Sequence, residues 1–229
     1  MTKRLLWPSL ITLAAFALLT FLGLWQLERL QWKRALLADI HAGMSASAAA
    51  LPDEITDPTP WNYRRVIVKG RFDHRSELYL NAIGPEGAPG YHVLTPLLRG
   101  EAVPVLIDRG WIPLNAKAPG KRAASQLAGP VTVHGVARVP PPVPWLAPAP
   151  DLDADLWFAV DLEAMRSAAN LPLAPLIVEA DATPNPGGLP LGGQTRVNLP
   201  NNHLSYAITW FSLAVAVVVI YVVYARRRR

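Results

Sequence analysis

Five histidines punctuate the chain, and His203 differs from the rest in its position. It opens a long apolar run, in Asn201-Asn202-His203-Leu204-Ser205-Tyr206-Ala207-Ile208-Thr209-Trp210. Helical residues at i, i+3 and i+7 share a face, so His203, Tyr206 and Trp210 line one side. Ionisable groups at a membrane edge are costly and usually functional. Two chemistries suit this imidazole. In one it caps the helix and reaches back to water. In the other its neutral ring ligates haem iron, while Tyr206 and Trp210 contact the macrocycle. Position in the sequence admits both.

Other chemistry is sparse. His41, His74, His92 and His134 fall on stem, loop or sheet segments without ligand spacing, and read as surface or satisfied sheet residues. Asp151, Asp153 and Asp155 alternate as in a calcium loop, but Leu156 stands where that loop needs glycine. Asp108-Arg109 reads as a local ion pair. There is no H-E-x-x-H, G-x-S-x-G, phosphate loop or dinucleotide fingerprint, and no nucleophile–base pair, so the chain does not read as an enzyme. The absence of cysteine excludes disulfides, thiolate metal sites and a thiol nucleophile.

The elements that must place His203 are two apolar runs. No charged residue interrupts Leu5–Leu27 or Val197–Ala225. A hydrocarbon core of roughly 30 Å needs about 20 apolar helical residues, and both runs suffice. Trp7 and Trp25 bracket the first, with Pro8 read as lying in its first turn; Tyr206, Trp210, Tyr221 and Tyr224 bracket the second, as interfacial belts do. The first run is too long for a signal-peptide core. Lys3, Arg4 and Arg226 to Arg229 flank the pair, which predicts both termini in the cytoplasm and the intervening domain outside it. With those six cations set aside, 16 Lys and Arg face 17 Asp and Glu. A near-neutral domain lacks the basic patch of a nucleic-acid binder. No Arg-rich transit segment precedes the first run, so the expected location is a bacterial plasma (inner) membrane, multi-pass, with a periplasmic central domain.

The chain therefore divides into residues 1–27 (tail and first span), 28–200 (helical stem and β-rich domain) and 201–229 (second span and basic tail). The stem is expected to about Gly43, and Ser45–Pro60 reads as a linker. Tyr63–Phe72, Glu77–Ile83, Tyr91–Leu98, Val103–Ile112, Val131–Val139 and Pro175–Ala180 read as strands. Pro140–Pro150 reads as a stiff connector. Asp161 is a candidate N-cap for a helix over Leu162–Ala169. The fold class is a membrane protein whose two transmembrane helices flank an α+β domain, mostly antiparallel β, as a sheet or small barrel.

Three blocks carry a family likeness. They are Leu22-Gly23-Leu24-Trp25-Gln26-Leu27-Glu28-Arg29-Leu30-Gln31-Trp32-Lys33, then Tyr91-His92-Val93-Leu94-Thr95-Pro96-Leu97 with Asp108-Arg109-Gly110-Trp111-Ile112-Pro113, and finally Asn201 to Phe211. In this order and topology the chain resembles the surfeit-locus family of cytochrome c oxidase assembly factors. The resemblance implies haem A as bound cargo, and as partners the oxidase large subunit, haem A synthase and the lipid bilayer. It makes His203 the candidate iron ligand, beside Tyr206 and Trp210. Trp25, Gln26 and Arg29 match the first-span motif and are expected at the same depth, with Arg29 placed for a haem propionate. The alternative is a scaffold that stabilises oxidase intermediates without touching haem.

Overall fold

The computed structural model describes residues 3–195 and 201–228. Val197 to Pro200, where the second apolar run was expected to begin, lie outside them, as do Arg229 and the side chains of Lys3 and Arg4. One compact unit takes the N-terminal helix as far as Asp39 together with the C-terminal helix; the other begins at Ile40 and holds the sheet.

Helix α1 runs Lys3–Ser45, roughly 65 Å at 1.5 Å per residue, so it continues well past a bilayer core as the expected stem. Pro8 lies inside the helix and not in its first turn, because the helix already starts at Lys3. The last helix of the chain, His203–Arg227, is long and apolar enough to span as well. Leu10, Ile11, Leu13, Leu18 and Phe21 on the first, and Val215, Val219 and Ile220 on the last, expose their side chains. Exposed apolar surface on this scale is what lipid covers.

In the second unit, β1 (Ala49–Ala50), β2 (Arg65–Phe72), β3 (Leu78–Ile83), β4 (Pro89–Arg99), β5 (Ala102–Pro113), β6 (Val131–Arg138), β7 (Leu156–Trp157) and β8 (Ile177–Ala180) form one sheet. It closes on itself. The ring runs β2-β6-β8-β5-β4, and β4 returns to β2 through Arg71 opposite Leu98 and Phe72 opposite Leu97. Neighbours in this five-stranded barrel are antiparallel except β5 and β8. β3 and β7 extend the sheet from β4, and β1 lies parallel to β2.

Side chains of a strand alternate between faces. On β5, Val105 and Ile107 point into the barrel with Val66, Val68, Leu97 and Val178. Leu106 points outward, against Leu94, Ile177, Trp157 and Met165. Met165 belongs to α2 (Leu162–Ala169), which covers that outer face. Burial on both faces explains why Val105–Ile112 is apolar or buried throughout instead of alternating. The α2 boundaries match the sequence expectation, because the Asp161 carboxylate accepts the Ala164 N–H at 3.0 Å.

Two expectations are corrected. The segment Ser45–Pro60 is not a free linker: β1 pairs with β2, and Leu51 and Ile55 are buried in the barrel core. Asp108 and Arg109 are not an ion pair. Adjacent strand residues face opposite ways, so Asp108 meets His92 Nδ1 at 2.6 Å while Arg109 turns to Glu77.

Candidate functional site

The two apolar helices pack antiparallel, and three contacts fix their register. Near the chain ends, Ser9 Oγ donates to the Leu5 carbonyl (2.7 Å), which leaves its lone pairs for the Tyr221 hydroxyl at 2.5 Å. Further along, Gly23 faces the Phe211 ring; a Cβ built on Gly23 would lie 2.6 Å from Phe211 Cε1. At the far end, His203 Nδ1 lies 2.7 Å from Gln26 Oε1. Small and hydroxyl residues at the seam let apolar helices approach closely where no hydrophobic force drives them together. Buried Gly23, Ala207 and Ala214 serve that purpose here. Seventeen residues separate Ser9 from Gln26, about 26 Å of helix. That nearly matches the hydrocarbon thickness of a bilayer.

The His203–Gln26 contact has one chemical reading. An amide oxygen only accepts, so His203 Nδ1–H donates. In the tautomer that carries this proton, the lone pair sits on Nε2, which has no hydrogen-bond partner among the described residues. Gln26 is buried, whereas His203 is partly exposed. The neighbouring Asn201 Oδ1 is also buried without a hydrogen bond among the described residues. The arrangement presents a single imidazole nitrogen, oriented by an amide, at the mouth of a helix pair. Tyr206 is exposed and Trp210 half-buried on the same helix.

Trp25 and Arg29 are placed differently. Consecutive helical residues are about 100° apart, so burying Gln26 in the seam turns Trp25 outward. Trp25 is 41% exposed, and the Arg29 guanidinium lies over its ring at 5.8 Å and over Trp32 at 5.6 Å. The stripe Trp25-Arg29-Trp32 borders the seam and is not joined to His203 by any contact among the described residues.

A second polar centre lies inside the barrel domain and was not anticipated. The Glu77 carboxylate is buried and accepts from Arg122 Nη2 at 2.6 Å and Nη1 at 3.3 Å. Arg109 Nη1 lies 3.4 Å away, and His74, Tyr79, Thr95 and Gln126 also reach it. Burial by itself would raise the Glu77 pKa, but hydrogen bonds from Arg122 and His74 and the charges of Arg122 and Arg109 bring it below the ordinary carboxylate value. Burial pushes the Tyr79 hydroxyl up to about 12, with the Glu77 charge adding to it. Burial pulls Arg109 down to about 10, against the pull of Glu77. No signal in the sequence joins these groups, since 32 and 45 residues separate Glu77 from its two arginines.

Comparison with known proteins follows this geometry closely. The model of the SURF1 family matches residues 13–215, which takes in the barrel and part of each apolar helix. The Surfeit locus protein 1 of Takifugu rubripes is 33% identical over 211 residues, covering 85% of this chain and 87% of its own length. A SURF1-like protein of Monosiga brevicollis is 34% identical over 222 residues, covering 90% and 83%. One from Drosophila melanogaster is 35% identical over 213 residues, covering 85% and 70%.

The chain belongs to the SURF1 family.

The SURF1 match confirms the surfeit-locus resemblance, and with it membership of a family of cytochrome oxidase assembly factors. The SURF1 region begins inside α1 and ends inside the last helix, so the seam with Gly23, Gln26, His203 and Phe211 falls within it.

Proposed function

We propose that this SURF1 member carries haem A at the mouth of its helix pair and passes it to the large subunit of a terminal oxidase. The observation that carries the reading is the 2.7 Å hydrogen bond from His203 Nδ1 to Gln26. Haem ligands are held in one tautomer and one orientation by a hydrogen bond on the other ring nitrogen, which also raises the basicity of the ligating nitrogen. Gln26 does this for His203, leaving Nε2 to bind iron. Tyr206 and Trp210 offer flat aromatic surface to the macrocycle, with Trp25 across the seam. Arg29, beside Trp25, meets a propionate. The lipid on both sides accepts the apolar tail of haem A.

The chemistry is holding, not turnover. One protein ligand binds iron weakly enough for the recipient's own ligands to displace it. The oxidase large subunit and haem A synthase are the proposed partners, met through the barrel domain. Both termini lie in the cytoplasm of a bacterial cell, with the barrel in the periplasm. That orientation is supported by the flanking cations and by the two helices crossing as a pair.

Purification of the full chain after co-expression with haem A synthase tests the reading. A Soret band that is lost in His203→Ala is the expected result. Colourless wild-type protein that still restores oxidase assembly would replace the carrier with a scaffold.

A further inference from the structure

Among the described residues, two guanidiniums share one carboxylate in the barrel domain. Arg122 takes the better part of Glu77, at 2.6 Å, while Arg109 has only a 3.4 Å contact with it. The remaining contacts of Arg109 are neutral: Nη2 donates to the Ser125 carbonyl at 2.6 Å and to Asn185 Oδ1 at 3.3 Å, and the guanidinium lies 4.6 Å from the Phe72 ring centre. Its Nε–H is buried without a hydrogen-bond partner among the described residues, and the side chain is only 2% exposed. A buried cation left short of negative charge is costly.

Arg109 lines a cavity of about 140 Å³ that opens at the barrel wall. The rest of the wall is mainly apolar, with Phe72, Ile107, Leu127, Val131 and Pro184 contributing. Asp181, a carboxylate on the lining, is engaged by the Thr183 N–H at 3.0 Å. Apolar cavities of roughly 150 Å³ hold molecules the size of benzene.

We infer that this cavity is a carboxylate site, taking a small monocarboxylate whose aliphatic body fills the apolar wall while its charge faces Arg109. Its source is either a free short-chain acid or the C-terminal carboxylate of a partner chain ending in an aliphatic residue. The inference is independent of haem, since it uses no residue of the helix pair. A bound carboxylate supplies the charge that Glu77 cannot share, and a charge-assisted contact with a guanidinium is favoured in geometry and strength.

The test uses the full-length protein in detergent micelles and ligand-observed NMR at constant ionic strength. Butyrate is the probe and butyramide, of the same shape without the charge, is its control. Butyrate is expected to bind saturably and butyramide at least tenfold more weakly. Val131→Phe, which fills the cavity from a partly exposed position, is expected to weaken butyrate at least tenfold while the melting curve holds. Arg109→Lys is expected to weaken it too if it folds; Val131→Phe keeps the test alive if it does not. A short peptide ending in valine, with a free or amidated terminus, separates the sources. Binding of the free-ended peptide alone supports a partner chain, and binding of butyrate alone supports a free acid. Equal binding of butyrate and butyramide, unchanged affinity of the bound probe in Val131→Phe, or no saturable binding of either butyrate or the free-ended peptide overturns the site.

Discussion

A single amide decides which nitrogen of His203 faces outward. Gln26 and His203 lie 177 residues apart in sequence; His203 stood out by its place at the start of an apolar run, whereas Gln26 was singled out only through the first-span block of the family resemblance. What was not legible is the division of labour between Gln26 and its neighbours. Trp25 and Arg29 share its motif, but helical geometry turns them onto an adjoining face. Gln26→Leu removes the acceptor and frees the ring. It is expected to weaken haem binding about ten- to hundredfold, the usual cost of losing the group that orients a metal ligand. A haem titration of the apoprotein measures this. Gln26→Glu, which keeps an acceptor, should retain most of the affinity. The Glu77 centre answers to pH instead. Its carboxyl titrates lower folded than unfolded, so its contribution is complete above the ordinary glutamate value and is lost as pH falls through the folded one. Urea midpoints of the micellar protein from neutral to acid pH should therefore decline for wild type. Glu77→Gln should start about 3–5 kcal/mol lower at neutral pH, because it leaves buried arginines unpaired, and should show a flatter acid limb.

Element boundaries follow local signals where those signals exist. Alternation marked Glu77–Ile83 and Val131–Val139, short apolar runs bounded by turn residues marked the other longer strands, and the Asp161 cap placed α2 to the residue. β1 and β7 have two residues each, too few to carry any period, so β1 passed as part of the linker and β7 was assigned to no element. The bond between Asp161 and Ala164 predicts that Asp161→Ala costs roughly 1 kcal/mol, read as a fall in urea midpoint with faster amide exchange confined to α2. The helix seam makes a sharper demand. Phe211 occupies the space a side chain at Gly23 would need. Gly23→Leu is expected to push the helices apart and to break the His203–Gln26 bond without touching either residue. Haem titration of Gly23→Leu should then resemble that of Gln26→Leu, while Gly120→Ala, which meets nothing within 4 Å, shows no change in the seam.

At the scale of the whole molecule, antiparallel β structure and two spans were apparent in the sequence, and a small barrel was one of the two forms it allowed; which strands close the barrel was not apparent. Closure depends on β4 meeting β2 and on β5 meeting β8, pairings between segments far apart in the chain that no local pattern announces. The same non-locality hid the arginine pair, which converges on Glu77 only once the ring is shut. The two helices run antiparallel, so on the proposed topology alkaline phosphatase and fluorescent-protein fusions at the two ends should report one and the same compartment, the cytoplasm. Opposite reports from the two ends would separate His203 from Gln26 in depth and remove the site.

Resonance Raman spectroscopy of the ferrous, haem A-loaded protein bears most directly on the imidazole at that seam. Wild type should show an iron–histidine stretch, Gln26→Leu should shift it to lower frequency as the ligand loses its hydrogen bond, and His203→Ala should abolish it. An iron–histidine stretch that persists unchanged in His203→Ala would mean that another residue holds the haem.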